Sequence, residues 1–240
     1  MSVIGLFSVK GSPGATTLAL ALAARGRSHG AVLIEADAAG GDIALRYGIA
    51  QQPGLAQLAA RTRHIGDRRG VLDGLVHTID ADAAARVSLV PAPVEPAAVE
   101  AAVTALHATP DVLAAAGRSR TLLLDLGRLE AADPGVGLIE SCGAALLVVR
   151  GDAVSLGHVR EAAWLAGLPI RCGFVLIDTG PYRAAEAADV LGMDCFGVMP
   201  AVRRPLRARR ANRAVRVLWT GLTTAIREPT AAPELVEVQR

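Results

Sequence analysis

The part of the sequence best suited to binding an anion is a glycine-rich turn near the amino terminus. It lies between an apolar run and an alanine-rich stretch, and reads Lys10-Gly11-Ser12-Pro13-Gly14-Ala15-Thr16-Thr17. Glycine permits backbone conformations in which several main-chain N–H groups converge on one anion. A helix that starts here adds unpaired N–H groups and the positive end of its dipole. Thr16 and Thr17 can cap that helix, and one hydroxyl can reach a phosphate-bound Mg²⁺.

Two carboxylates stand where predicted strands end. Asp37 follows an apolar run over 31–36, and Asp125 lies near the end of another over 121–126. The carboxyl ends of parallel strands form the ligand side of an open α/β sheet. A carboxylate there can hold Mg²⁺ or one of its waters. The alternatives are a helix or turn cap for Asp37 and an acid that merely terminates a strand for Asp125.

The elements that must position these residues alternate along the chain. Apolar runs predict strands at Val3–Val9, Ala31–Ala36, Val87–Val90, Thr121–Leu126, Ala144–Val149 and Gly173–Ile177. Between them we predict helices at Thr16–Arg25, Ala97–Leu106, Asp111–Ala116, Leu156–Ala166 and Ala184–Leu191. The strands are apolar on both faces, which is typical of parallel strands covered by helices. We therefore expect an α/β fold of three layers, with a mostly parallel twisted sheet and helices on both faces.

Length and composition fit one cytoplasmic domain. The chain has 240 residues, 52% of them hydrophobic, which is enough for a sizeable core. No run approaches about 18 apolar residues, and the first ten residues lack the pattern of a signal peptide. The three cysteines share no CxxC spacing, which argues against a disulfide framework or a cysteine zinc site. The sequence also lacks the HExxH and GxSxG motifs of metalloproteases and serine hydrolases.

Positive charge is concentrated at the carboxyl end. Residues 201–240 carry nine basic and three acidic residues, and seven arginines fall within Arg203–Arg216. Pro205 suits the first turn of a last helix, whose apolar stripe is formed by Ala211, Val215, Leu218, Leu222 and Ile226. This helix could dock on the core with a solvated basic face, bind DNA phosphates, lie on a membrane or contact a protein partner. We expect a domain over 1–227, with the Arg-rich helix at 203–227 and a flexible tail at 228–240.

The glycine-rich segment resembles the deviant Walker A motif, KGGxGKTT, of MinD/ParA-like P-loop proteins of the SIMIBI class. The resemblance implies that Lys10 reaches across a dimer to the partner's nucleotide. Ala15 replaces the lysine that contacts the β- and γ-phosphates, and Ser12 replaces a glycine. A charge-assisted hydrogen bond contributes about 1.5–3 kcal/mol, so this loss weakens affinity about tenfold to a hundredfold. Lys10 is the only lysine, against 24 arginines.

Later segments resemble the same family. The stretch from Glu35 to Asp42 resembles switch I, where Asp37 would orient the attacking water and Glu35 stands in place of a commoner Asp. Residues 122–127 resemble the Walker B strand, so Asp125 and Thr16 would hold Mg²⁺. The position whose Asn recognises adenine in many relatives is Asp178, a carboxylate that only accepts hydrogen bonds. The nucleotide would be held by Lys10, Gly11, Ser12, Pro13, Gly14, Ala15, Thr16, Thr17, Asp178 and Pro200.

Two functions follow from the resemblance. The first is a slow ATPase switch in partitioning or spatial positioning, in which a homodimer sandwiches ATP and Mg²⁺ and then binds DNA, a membrane or a partner protein. The second is a non-hydrolysing scaffold for pilus or secretion machinery, as in the TadZ/CpaE branch. Ala15 favours the scaffold, whereas Lys10, Asp37 and Asp125 favour the switch. We expect nucleotide binding with weak or absent turnover, at the nucleoid, at the membrane surface or free in the cytoplasm.

Overall fold

The computed structural model describes residues 2–11, 13–63, 70–82, 85–168, 171–201 and 209–227. The strands of this part are β1 Ser2–Ser8, β2 Val32–Glu35, β3 His77–Asp82, β4 Ala85–Val90, β5 Thr121–Arg128, β6 Ala144–Arg150, β7 Cys172–Asp178 and β8 Cys195–Pro200. The helices are α1 Ala15–Gly26, α2 Ile43–Tyr47, α3 Leu55–Arg61, α4 Pro96–His107, α5 Pro110–Ala116, α6 Pro134–Glu140, α7 Ala153–Glu161, α8 Ala184–Leu191 and α9 Arg209–Arg227.

All these strands join one sheet in the order β3-β4-β2-β5-β1-β6-β7-β8. Every neighbouring pair is parallel except β3 and β4, which run antiparallel at one edge. The central strands are buried on both faces, and every residue of β2 is buried. The predicted parallel α/β sheet is confirmed.

Helices cover both faces of the sheet. On one face, α1 and α9 pack over apolar residues such as Ile4, Leu33 and Val175. On the other, α3 to α8 enclose a second core around Phe7, Ile34 and Phe174. The three predicted layers are therefore present, and alanine, valine and leucine supply most of their packing.

Some elements differ from the sequence-based prediction. The sequence predicts no element between residues 51 and 82, where the structure has α3 and the edge strand β3. It also predicts no strand at Cys195–Pro200, which forms the opposite edge of the sheet. A proline is tolerated at the end of an edge strand because no further ladder bond is needed there. The helix predicted over Leu156–Ala166 ends at Glu161, because Ala162 has left helical geometry.

The carboxyl-terminal predictions are only partly testable. The last described helix starts at Arg209, whereas Pro205 and the rest of 202–208 lie outside the described residues. The expected tail at 228–240 lies outside them as well. The proposed domain limits therefore stay a prediction.

Candidate functional site

The turn between β1 and α1 presents the start of a helix at the carboxyl edge of the sheet. Gly14 has a φ of 104° and precedes the first residue of α1. The first intrahelical bond runs from Leu18 N–H to the Gly14 carbonyl at 2.9 Å. The amides of Ala15, Thr16 and Thr17 come before it and have no carbonyl within the helix to bind. This is the geometry of an anion cradle.

The glycines of this turn leave room for a ligand. A Cβ atom on Gly11 would meet nothing within 4 Å, and one on Gly14 would meet only Thr17, at 4.0 Å. Gly11 and Lys10 are exposed, Pro13 is buried, and Ser12 lies outside the described residues. The prediction that Thr16 or Thr17 caps α1 is wrong, because the capping position is Gly14, which has no side chain.

Ala15 brings no charge to the cradle. Its side chain is 6% exposed and packs in the same core as Leu18 and Leu22. The backbone of the turn is thus suited to a phosphate, whereas the side chain at this position contributes only apolar contact.

Asp125 lies beside the first turn of α1 and is completely buried. Its Oδ1 accepts a hydrogen bond from the Gly127 N–H at 3.3 Å, whereas Oδ2 has no hydrogen-bonding partner among the described residues. Burial, reinforced by the charges of Asp37 and Glu35, raises the pKa of Asp125 to about 7. The neighbouring Thr16 hydroxyl opposes this rise in pKa.

An orphaned carboxylate oxygen next to a threonine hydroxyl is a suitable partner for a hard cation. Among the described residues, no three His, Cys, Asp or Glu side chains are arranged to hold a metal ion by themselves. Mg²⁺ is commonly held by one or two protein oxygens together with phosphate oxygens and waters. Asp125 and Thr16 therefore fit a cation that arrives with a phosphate.

Asp37 lies over the end of the Asp125 strand. Its Oδ1 accepts the Ala39 N–H at 2.9 Å, and a Cβ atom on Gly127 would fall 2.0 Å from the Asp37 Cγ. Burial raises the pKa of Asp37, and the charges of Asp133 and Asp42 add to the effect. The structure thus brings the two predicted carboxylates together at the opening of α1.

Glu35, which the sequence places in the switch I stretch, has a hydrogen-bonding role that sequence reasoning did not identify. Its carboxylate is 2% exposed and accepts three main-chain N–H groups, those of Asp42 at 2.7 Å, Ile43 at 2.9 Å and Ala92 at 3.0 Å. Burial raises its pKa, and these three bonds oppose the rise. The available signal was a carboxylate at the end of an otherwise apolar strand.

Asp178 and Pro200 meet at the other side of the same sheet edge. They are paired in the register between β7 and β8, at the ends of both strands. Asp178 is exposed and Pro200 is half-buried. β7 is two strands away from β1, which corresponds to roughly 10 Å at the usual strand spacing. This separation suits a ligand that extends sideways from the cradle.

α9 packs on the core through one face and leaves a basic face outside. Its buried residues include Ala211, Ala214, Val215, Leu218, Trp219 and Leu222. Arg210, Arg213 and Arg216 are exposed. A Cβ atom on Gly26 would lie 2.1 Å from the Trp219 ring, so the indole rests directly on the end of α1. The predicted apolar stripe is confirmed up to Leu222, and the Ile226 side chain lies outside the described set.

Within the part of the chain that the structure describes, no helix is long and apolar enough to cross a membrane.

The sheet order, the α1 turn and the covering helices form the fold of MinD and ParA ATPases, the class that the sequence resembles. One similar structure is the septum site-determining protein MinD complexed with Mg-ADP from Pyrococcus horikoshii OT3. Its TM-score is 0.71 at 17% identity, over 96% of this chain and 98% of that one. Another is a ParA family ATPase from Chlorobium tepidum TLS, with a TM-score of 0.66 at 18% identity over 96% and 93% of the two chains.

A third similar structure carries a different activity. It is cobyrinic acid a,c-diamide synthase from Mycobacterium smegmatis with a bound ATP analogue and magnesium, with a TM-score of 0.65 at 14% identity over 97% of this chain and 98% of that one. No protein-family model and no curated protein matches the sequence. The similarity is therefore one of fold, and function has to be argued from the site.

Proposed function

We propose that this chain binds ATP with Mg²⁺ at the β1–α1 turn and acts as a dimeric, nucleotide-dependent switch in partitioning or spatial positioning, with weak or absent hydrolysis. The observation that carries the proposal is the orphaned Oδ2 of Asp125 beside the open amides that start α1. A buried acceptor without a partner is costly, and a phosphate-bound cation would satisfy it. Similar structures that hold Mg-ADP or an ATP analogue with magnesium support the same ligand.

Each side chain then has a proposed role. The main-chain N–H groups between Gly11 and Thr17, to which Pro13 contributes none, hold the phosphates, while the Thr16 hydroxyl and Asp125 hold Mg²⁺. Asp37 orients the attacking water, and its place next to the Asp125 strand supports this role. Lys10, which is exposed, reaches the nucleotide of a second copy. Asp178 and Pro200 border the base, as their pairing at the sheet edge allows.

Ala15 is the reason to expect weak turnover. A cation at this position offsets charge that develops on the transferring phosphoryl group, and an alanine in the core offers none. The same observation supports a second candidate, a non-hydrolysing scaffold of the TadZ/CpaE type for pilus or secretion machinery. Both candidates bind nucleotide, and they differ in whether the bound ATP is turned over.

The exposed arginines of α9 are the proposed contact for a partner. Arg210, Arg213 and Arg216 make no ion pair with any residue that the structure describes. Together with the arginines of 203–209 they would bind DNA phosphates or an anionic membrane surface. The packing of the opposite face of α9 supports a rigid rather than a detachable helix.

Calorimetric titration of the full chain with ATP in the presence of Mg²⁺ tests the proposal. We expect saturable binding that is weakened at least tenfold by Gly14→Ala, which changes the cradle. Gly48→Ala is the matched control, because Gly48 also has positive φ and open space around it but lies in a surface turn. An absence of binding at millimolar ATP, or equal effects of the two substitutions, would overturn the proposal.

A further inference from the structure

Glu35 joins three separate pieces of backbone at the carboxyl edge of the sheet. It stands at the end of β2, while Asp42 and Ile43 begin α2 and Ala92 follows β4. One carboxylate oxygen accepts the Asp42 and Ile43 amides, and the other accepts the Ala92 amide. The segment 36–41, which carries Asp37, therefore begins directly after Glu35 and ends at amides that donate to the Glu35 side chain.

The three amides are the main groups that offset the cost of burying the Glu35 charge. The carboxylate is buried, the three amides lower its pKa, and the like charge of Asp42 adds to the rise caused by burial. Hydrogen bonds from main-chain amides to a carboxylate are about twice as strong as neutral ones, since one partner is charged. An uncompensated anion at this depth would be strongly destabilising, so the bonds and the closed segment form together.

The closed segment also fixes the direction of Asp37. Gly41 donates its N–H to the Pro93 carbonyl at 2.7 Å, next to the Glu35–Ala92 bond. The Ala39 N–H donates a hydrogen bond to Asp37, and the Asp37 carboxylate packs over Gly127, which has no side chain. Removing the Glu35 bonds would leave the far end of the segment held more weakly, by bonds such as that from Gly41 to Pro93, and would let the Asp37 turn open more readily.

We propose that Glu35 is the positioning residue of this site: through its three main-chain bonds it sets the Asp37 segment in place before any nucleotide arrives. The inference rests on the proposed function only for the role of Asp37. The positioning itself is a property of the ligand-free chain. Its three bonds act on the position of Asp37, and its charge acts separately on Asp125.

Amide hydrogen exchange of the ligand-free full chain tests this. In Glu35→Gln, the amides of Asp42, Ile43 and Ala92 lose charged acceptors, and we expect them to exchange about tenfold to a hundredfold faster. The decisive readout is the Ala39 amide, which binds Asp37 and not Glu35. It should also exchange at least tenfold faster if Glu35 positions Asp37, and at the wild-type rate if Glu35 serves only its own three partners.

The matched control is Glu186→Gln. Glu186 likewise accepts a main-chain amide, that of Arg183 at 2.7 Å, but at the start of α8. This substitution should leave the Ala39 amide unchanged. If Glu35→Gln does not fold, the same exchange is measured in Glu35→Asp, which keeps the charge but shortens the reach to the three amides. An unchanged Ala39 amide in the folded variant would overturn the inference. A failure to bind ATP would overturn the proposed function without touching this result, because no nucleotide is present.

Discussion

Asp37 fills the space that a side chain on Gly127 would occupy. The distance from the ideal Cβ position of Gly127 to the Asp37 Cγ is 2.0 Å, and Gly127 has a φ of 62°. A glycine within β5, two residues after Asp125, is thus what allows a carboxylate from the segment after β2 to lie over β5. The contact links the proposed water-orienting residue to the proposed magnesium residue.

Gly127→Ala should displace Asp37 and lower any ATP turnover at least tenfold. The new methyl group cannot share this space with the carboxylate, and a misplaced catalytic group loses rate steeply. Gly192→Ala is the matched control, since Gly192 has nearly the same φ, 61°, with nothing within 4 Å of its Cβ position. Both substitutions carry about 1–2 kcal/mol of left-handed backbone strain.

Denaturant unfolding of Gly127→Ala and Gly192→Ala separates the cost of backbone strain from the cost of the clash with Asp37. We expect Gly127→Ala to destabilise the fold by at least about 1 kcal/mol more than Gly192→Ala does, and to lose that excess when Asp37 is also changed to Gly. Equal losses in the two single variants would show that Asp37 moves aside freely.

Ala15→Lys should tighten ATP binding about tenfold to a hundredfold, because it adds one charge-assisted hydrogen bond to the phosphates. Ala15→Met is the control for bulk, since it brings a long apolar side chain to the same buried position without the charge. Calorimetry with Mg²⁺ and ATP measures both. Tightening by methionine as well as lysine, or by neither, would contradict the account of Ala15 as the missing cation.

The ligand-free protein should lose stability as the pH rises from about 4 to about 7. The pKa of Asp125 is raised by burial from 3.8 to about 7, so the folded chain holds a proton that the unfolded chain releases. The stabilising contribution is complete below the unfolded value and is lost as the pH passes through the folded one. A rise in pKa from 3.8 to about 7 corresponds to roughly 4 kcal/mol.

Asp125→Asn isolates this contribution. The neutral amide should leave stability near wild type at about pH 4 and raise it at pH 8, and the slope between them should flatten. A slope remains, because the pKa values of Glu35 and Asp37 are raised in the same direction. Parallel curves of unfolding free energy against pH for the two proteins would contradict the assignment.

Changing Arg210, Arg213 and Arg216 together to Ala should weaken binding to random-sequence duplex DNA and reduce its salt dependence. Three lost phosphate contacts lower the slope of log K against log salt by about 3. Stability should change by less than about 0.5 kcal/mol, since all three side chains are exposed. The control removes three exposed arginines elsewhere, Arg46, Arg63 and Arg183, for the same change in net charge. An equal effect of both triple variants would exclude a local contact, and selective loss of vesicle binding would favour a membrane.

The sequence predicted the parts of the site that are local in the chain. The turn from Lys10 to Thr17 and the strand ending near Asp125 were recognisable because their spacing and apolar runs are continuous. The role of Glu35 was not, because its third partner, Ala92, is 57 residues away and is reached only after β2 and β4 have paired. Likewise, the packing of Asp37 on Gly127 depends on β2 lying next to β5, which no local pattern specifies.

α1 has a glycine at each end, and the two serve opposite poles of the molecule. Gly14 directly precedes α1, in the turn that faces the proposed phosphates. Gly26, about 18 Å away along the helix axis, packs against the Trp219 ring. α1 thus connects the proposed nucleotide site to α9. Because both glycines lie on one helix, a displacement of α1 at Gly14 would also displace the surface on which the Trp219 ring packs.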